Sequence, residues 1–333
     1  MNQEKLKEIL KDFPAFRFKQ AQDLIFKNLI ESWDEATNLP ADMKEKLKNE
    51  FPILIKANIQ KADNKNSIKA ALEMEDGKKI ETVLMKHKDG RNTVCVSSQV
   101  GCPLGCLFCA TGKIKFQRNL EAYEIITQAL FFARLLKKEN KKITNIVFMG
   151  MGEPFLNYEE VIKAIEIMNE KNKFNIGARK ISISTVGLSD GIRKLTKENL
   201  QINLALSLHA SNDKLRSEII PINKKHPLKK MIQACQHYLE KTKRRLMIEY
   251  VLIKNVNDSI KHAEELSSLL KNNFADLYFV NLIKYNDTKE FKAPDAKKIE
   301  AFKKILKKNK IPFVERYRLG QDIDAACGQL AGK

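Results

Sequence analysis

Residues 93–109 read TVCVSSQVGCPLGCLFC, a β-prone run that passes directly into a loop carrying Cys102, Cys106 and Cys109 in the spacing C-x3-C-x2-C. Thiolates bind soft metals and iron–sulfur clusters, and a loop this short brings three of them to one centre. The number is informative. A structural zinc or cluster site normally closes with four ligands, whereas three protein ligands leave a position for something that reacts. Gly101 and Gly105 relax the backbone around a compact object and Pro103 stiffens the turn. The plainer reading of the same thiols is a structural knuckle.

Outward from this loop, strand and helix alternate to the end of the chain. Apolar, β-rich runs fall at Ile143–Met149, Lys180–Ser184, Ile202–Leu208, Leu246–Ile253, Leu277–Ile283 and Pro312–Tyr317. Helical periodicity falls between them at Leu120–Lys138, Glu159–Glu170, Leu188–Thr196, Leu228–Lys241, Lys261–Lys271 and Ala293–Lys308. Such alternation means βαβ units on a parallel sheet. The expected fold is α/β, a partial (β/α)6-type barrel with its functional loops at the C-terminal ends of the strands. The cysteine loop follows its strand directly and belongs on that face.

Before the loop, IKAALEM, the turn Glu75-Asp76-Gly77-Lys78 and KIETVLMK predict a short β-meander over 67–86. Residues 1–65 predict a small helical accessory domain, with helices over 7–13, over Arg17–Ser32 and from Pro40 to Phe51. Residues 66–333 are then expected to form the main barrel unit with its β-extension.

Of the 333 residues, 43% are hydrophobic, enough for a sizeable core and against disorder. No apolar run is long enough to span a bilayer, and the first residues, MNQEKLKEILKDF, lack a signal-peptide core. The expected setting is the cytoplasm, with no membrane partner, where cysteines serve metals or catalysis rather than disulfide staples. Lys+Arg 60 against Asp+Glu 41 gives a net charge of +19, which points to a polyanion such as RNA; a lysine-rich surface coat is the plainer alternative.

Several polar clusters fall just after expected strands: Gly150-Met151-Gly152-Glu153-Pro154, Ser184-Thr185, Ser207-Leu208-His209-Ala210 and Asn286. One barrel mouth would gather them into a shared pocket. Taken singly, the glycine-rich segment reads as a turn and His209 as a satisfied core histidine. Cys327 follows the last expected strand and faces the same mouth. Cys95 leads into the loop as a fourth ligand, a redox partner or a small strand residue. Cys235 reads as a packed hydrophobe. Arg118, Arg316 and Arg318 are candidates for phosphate contacts.

These segments together resemble the radical S-adenosylmethionine superfamily, and more closely the RlmN/Cfr family of RNA adenosine methyltransferases, RlmN most of all. The resemblance rests on CVSSQVGC (95–102), FMGMGEP (148–154), SLHA (207–210), IEYVLI (248–253) and DIDAACGQL (322–330). Residues 284–290 depart from it, reading KYNDTKE where RlmN proteins commonly carry Trp-Asn-Pro-Phe.

The resemblance implies that Cys102, Cys106 and Cys109 hold one 4Fe–4S cluster. It implies that Gly152, Glu153, Ser184, Ser207, Leu208, His209 and Asn286 contact S-adenosylmethionine, two molecules of which are used per turnover. Cys327 would take a methyl group, a 5′-deoxyadenosyl radical would remove a hydrogen from it, and the carbon radical would add to an adenine ring carbon. Cys95 would resolve the protein–RNA crosslink through a disulfide with Cys327, and Glu81 would assist proton removal. The implied product is 2-methyladenosine in 23S rRNA, at the peptidyl transferase centre, and in tRNA, 3′ of the anticodon. The implied partners are these RNAs and an electron donor such as flavodoxin, acting on a monomer. Cfr-type C8 methylation is the neighbouring alternative. From another class comes a zinc-containing, non-catalytic RNA-binding protein, with Cys95 closing a four-cysteine site.

Overall fold

A computed structural model describes residues 2–64, 66–275, 277–288, 290–316 and 319–332. Three helices come first: α1 (Gln3–Ile9), α2 (Phe16–Phe26) and α3 (Ala41–Glu50). Strands β1 (Ala57–Lys61), β2 (Ser67–Glu73) and β3 (Lys79–Lys86) form an antiparallel meander, and β4 (Asn92–Cys95) leads to the cysteine loop. The short strands β5 (Gln99–Val100) and β6 (Arg118–Asn119) pair antiparallel at the base of that loop. The repeating part follows: α4 (Ala122–Lys137), β7 (Asn145–Phe148), α5 (Tyr158–Asn169), β8 (Ile181–Thr185), α6 (Ser189–Leu195), β9 (Asn203–Ser207), α7 (Asp213–Ile219), α8 (Leu228–Thr242), β10 (Leu246–Leu252), α9 (Ile260–Asn273), β11 (Tyr278–Lys284), α10 (Ala296–Lys308) and β12 (Phe313–Glu315).

From β4 through β7 to β12 each strand pairs in parallel with the next, so six β/α steps lead to a final strand. This is the expected partial barrel. The meander is not a separate sheet: β3 pairs antiparallel with β4, which carries the hydrogen bonding out to β1 as one sheet of ten strands among the described residues.

The register divides the residues of each strand between two faces of different character. Ile183, Leu204, Leu206, Ile248, Tyr250, Val280 and Leu282 are buried in one core with helix residues such as Ile192, Met231, Leu266 and Phe302. Tyr250 and Phe302 stack with ring centroids 5.5 Å apart. The opposite face carries polar groups, where Ser207 at the end of β9 aligns with Glu249 and Asn281 midway along β10 and β11. A parallel sheet covered by helices on both faces reads as continuous hydrophobic runs. Here the inner face is a site.

The N-terminal part differs from expectation in three places. The first helix is Gln3–Ile9, started by the Asn2 side chain, which accepts from Lys5 N–H, and ended at Leu10; Pro14 keeps Phe13 out of it. The second stops at Phe26 rather than Ser32: Leu29 adopts φ 52, and Ser32 instead caps the 3-10 turn Trp33–Glu35. Ala57–Lys61, expected within a helical unit, is an edge strand. All five of its residues are exposed, so no burial pattern betrays it. The helices join the same core, with Trp33 buried and its Nε1–H donating to the carbonyl of Phe51 at 2.8 Å. From α4, the buried Arg134 donates to the carbonyl of Ile53 at 2.8 Å.

Candidate active site

The cysteine loop is built by its closure. The β5–β6 ribbon pinches residues 101–117, and Gly101 turns the chain inside it at φ +76, where a Cβ would lie 2.5 Å from the Lys115 carbonyl oxygen. No side chain fits there. On one flank Leu107 N–H donates to the carbonyl of Ile219 at 3.0 Å, and Leu104 and Cys106 pack on Ala210, Ile219 and Ile220. On the other, Ala110 N–H donates to the carbonyl of Gly328 at 2.7 Å and Thr111 Oγ1 to that of Leu330 at 2.7 Å. The ring of Phe108 meets His209 edge-on at 4.8 Å.

Burial pushes the Cys102 thiol up to about 12 and Cys106 well above its usual range, and the neighbouring Cys109 adds to both. Three thiols that repel as thiolates call for a cation between them. Three thiolates on one short loop are a donor set that an iron–sulfur cluster takes, one sulfur on each of three irons. Cys95 is not with these thiols, so the four-cysteine zinc site is not formed.

Beneath the loop the strand ends enclose a cavity of ≈ 1050 Å³, counting its open mouth, large enough for a nucleotide-sized ligand. Gly152, Glu153, Ser184, Ser207, His209 and Asn286 all line it. Gly152 sits at φ +102 with a would-be Cβ 2.6 Å from Gln99 Cβ. Glu153 is buried, and its oxygens accept from Phe155 N–H at 3.1 Å and Val186 N–H at 2.9 Å. Burial raises its pKa to about 7 against these hydrogen bonds. Ser184 Oγ and Ser207 Oγ are 3.1 Å apart.

His209, at φ 58, accepts the Val251 N–H on Nδ1 at 3.1 Å, which puts its proton on Nε2. Burial and Arg216 hold the ring neutral, its pKa lowered to about 3. It is a satisfied histidine and a cavity wall at once. Leu208 is the exception among the expected contacts: it is buried in the core, and its N–H donates to the Glu249 carbonyl at 3.1 Å.

Cys95 and Cys327 share a second recess with Met149, Asn286 and Arg316. Cys327 is exposed and lines both this recess and the cavity. Burial pushes its thiol up to about 11 and that of Cys95 to about 12, while the Arg316 guanidinium pulls both down. Arg316 Nη1 lies 3.6 Å from Glu249 Oε2, and Glu249 Oε1 accepts from Asn281 Nδ2 at 2.7 Å. Glu249 Oε2 is buried on the cavity wall and, apart from that longer ion pair, has no hydrogen-bond partner among the described residues, which leaves it able to accept from a ligand donor. Asn286 Nδ2 donates to the Cys327 carbonyl at 3.0 Å, so it braces the C-terminal segment as well as lining the cavity.

Glu81 stands apart from that cavity. On β3 it pairs with Lys69 at 3.2 Å and accepts from the N–H groups of Ala331 and Gly332. The basic candidates also shift. Arg118 spends its donors on Glu124 and Asp76, Arg316 faces the cysteines, and Arg318 lies outside the described residues. Cys235 is buried in the core as expected. Sequence reasoning missed Glu249, whose signal was an acid inside the apolar run IEYVLI, and α7, whose signal was the Asn212 cap.

The radical SAM superfamily model matches residues 96–266. The chain is 48% identical over 319 residues, 95% of its length and 90% of the relative's, to a probable dual-specificity RNA methyltransferase RlmN of Dictyoglomus turgidum. It is 45% identical to the protein of that name from a Thermotoga species, covering 95% of this chain and 91% of the relative. The crystal structure of a radical SAM methyltransferase from Sphaerobacter thermophilus superposes with TM-score 0.94 at 41% identity, covering 100% of this chain and 98% of that one.

Proposed function

This chain belongs to the radical SAM superfamily and, within it, to the RlmN family of dual-specificity RNA methyltransferases, and we propose that it methylates C2 of adenine in RNA. The substrates proposed are the adenosine of the 23S rRNA peptidyl transferase centre and the adenosine 3′ of the tRNA anticodon. The observation that carries the reading is the partition of the cysteines: three on the loop, and two, Cys95 and Cys327, on one recess beside it. A non-catalytic metal site has no use for the second pair.

Cys102, Cys106 and Cys109 would hold the 4Fe–4S cluster, and Gly152, Glu153, Ser184, Ser207, His209 and Asn286 would surround S-adenosylmethionine. Bound there, the cluster would relay one electron from an external donor to the sulfonium, releasing methionine and supplying the hydrogen-abstracting radical chemistry of the family. The protein handles the carbon. C2 of adenine is electron-poor and a poor nucleophile, so the methyl is first taken by the Cys327 sulfur, which displaces S-adenosylhomocysteine. Arg316 favours the thiolate this displacement needs. Once the carbon is joined to the base through the Cys327 sulfur, the Cys95 thiolate would attack that sulfur. The disulfide forms as the carbon–sulfur bond breaks, and the bonding pair leaves with the carbon into the adenine ring system. The C2 hydrogen departs as a proton, and the methylene takes up a proton to become the methyl group. An external thiol reductant restores the two cysteines.

The base must leave its stack to enter the cavity, which favours unpaired or flipped adenosines, and the net charge of +19 suits the approach of RNA. An electron donor of flavodoxin type and a monomeric, cytoplasmic protein complete the reading. No helix among the described residues is long and apolar enough to cross a membrane. Residues 1–65 are proposed as an accessory unit and 66–333 as the catalytic core.

The test is anaerobic reconstitution followed by incubation with 23S rRNA fragment and S-adenosylmethionine, then digestion to nucleosides. The expected product is 2-methyladenosine, and 8-methyladenosine alone would overturn the C2 assignment. A colourless protein holding one tight zinc and cleaving no S-adenosylmethionine would end the enzyme reading. Cys95→Ala is expected to accumulate a covalent protein–RNA adduct through Cys327.

A further inference from the structure

Strand β9 leaves the sheet at Ser207, and two side chains take over its hydrogen-bonding positions. The ladder between β9 and β10 ends where Ser207 faces Glu249, although β10 continues to Leu252. The next groups on that edge are the N–H and carbonyl of Val251 and the N–H of Ile253. Both residues are buried, so these groups need partners from the protein. Val251 N–H donates to His209 Nδ1 at 3.1 Å. Asn257 serves the others: its Nδ2 donates to the Val251 carbonyl at 2.6 Å, and its Oδ1 accepts from Ile253 N–H at 2.7 Å. An imidazole and an amide complete the edge in place of a strand.

Asn257 Nδ2 also donates to the carbonyl of His209, at 2.8 Å. His209 sits at φ 58, in the left-handed region that a residue other than glycine occupies at a cost. Such a conformation persists only where the surroundings over-determine it. His209 is held from three sides: its carbonyl by Asn257, its Nδ1 by Val251, and its N–H by the Glu249 carbonyl at 3.4 Å. Asn257 is in turn fully buried, and its loop is pinned by the Tyr250 hydroxyl, which donates to the Asn257 carbonyl at 3.2 Å. A leucine would fill the same space but would strip three backbone groups of their partners.

We propose that Asn257 is a positioning residue for the cofactor cradle: it holds the left-handed turn at His209 and so presents that ring's Nε2–H to the cavity as a fixed hydrogen-bond donor. This rests on the reading of His209 as a wall of the S-adenosylmethionine site. With Nδ1 engaged as an acceptor, Nε2–H is the one polar group the ring has left for a ligand. The ring lines the cavity, set edge-on against Phe108 with centroids 4.8 Å apart. A donor fixed there favours a ligand atom with a lone pair, and little ordering is left to be done on binding. Asn257 does not itself line the cavity, so its effect passes through His209.

The test compares wild type with Asn257→Leu, Asn257→Asp, His209→Gln and the double variant Asn257→Asp/His209→Gln. Equilibrium dialysis on the anaerobically reconstituted full-length protein measures S-adenosylmethionine affinity. NMR of isotope-labelled histidine nitrogens in the cluster-free protein reads the His209 tautomer, which is expected to be Nε2–H in the wild type. Asn257→Leu should bind about tenfold more weakly and populate both tautomers. Asn257→Asp keeps the acceptor and the volume but loses the two donated hydrogen bonds, and should weaken binding too. The double variant should bind no more weakly than His209→Gln alone, because Asn257 acts through that ring. Wild-type affinity or an unchanged tautomer in a folded Asn257→Leu protein would overturn the proposal, as would additive losses in the double variant. If Asn257→Leu does not fold, wild-type affinity in Asn257→Asp does the same. A wild type that binds no S-adenosylmethionine would overturn the reading of the cavity instead.

Discussion

The carboxylate of Glu81 accepts a 2.6 Å hydrogen bond from the backbone N–H of Ala331, 250 residues further along the chain. The same oxygen accepts from Gly332 N–H at 3.1 Å, and the other pairs with Lys69 at 3.2 Å, both side chains buried. This clasp fixes the segment that carries Cys327. Glu81→Ala leaves Lys69 buried and unpaired, which costs about 3–5 kcal/mol. Denaturant unfolding is expected to show that loss, with limited proteolysis cutting the C-terminal segment faster. Were Glu81 only an acid at the reacting base, Glu81→Ala would keep wild-type stability and protease resistance.

Glu153 makes stability depend on pH in a defined window. Its pKa is raised from 4.5 to about 7 by burial, so its contribution is full below pH 4.5 and is lost as the pH rises through about 7. His209, lowered from 6.5 to about 3, has the opposite slope, losing stability as the pH falls below 6.5. The two oppose in the wild type, so the difference from Glu153→Gln isolates the carboxyl. Melting of the cluster-free variant is expected to improve relative to wild type as pH rises from about 4.5 to about 7 and to level off above. A constant difference across that range would contradict the assignment.

Arg316 is expected to set the reactivity of Cys327. Burial raises the thiol to about 11, and the guanidinium is the largest opposing influence. Arg316→Met should move the pH profile of Cys327 alkylation upward and slow the reaction several-fold at pH 8, read by mass spectrometry on cluster-free protein. An unchanged profile would leave Arg316 as a partner of Glu249 alone.

Gly152→Ala should cost about 1–3 kcal/mol from the positive φ alone. The new Cβ would also press on Gln99, whose Oε1 accepts from Glu153 N–H at 2.9 Å. The weakened contact should appear as loss of S-adenosylmethionine affinity in equilibrium dialysis, beyond the stability loss. Wild-type affinity in a folded Gly152→Ala protein would remove Gly152 from the cradle.

The sequence alone determined the parallel α/β scaffold and the post-strand clusters, because hydrophobic period and cysteine spacing are local properties of the chain. It placed Ser184, Ser207 and His209 on one mouth because each lies at or just past the C-terminal end of its strand. It misjudged β1, whose five exposed residues leave no pattern, and α7, too short to show one. Tertiary structure alone decided the partners. Only the fold brings Asn286 to the Cys327 carbonyl, Glu81 to Ala331, and Arg316 to two cysteines more than two hundred residues apart. Hydrogen bonds and Coulomb forces act over a few ångströms of space, whatever the separation along the chain. The loop's three thiols were legible as ligands from spacing; that Cys95 belongs with Cys327 and not with them is a fact of the barrel.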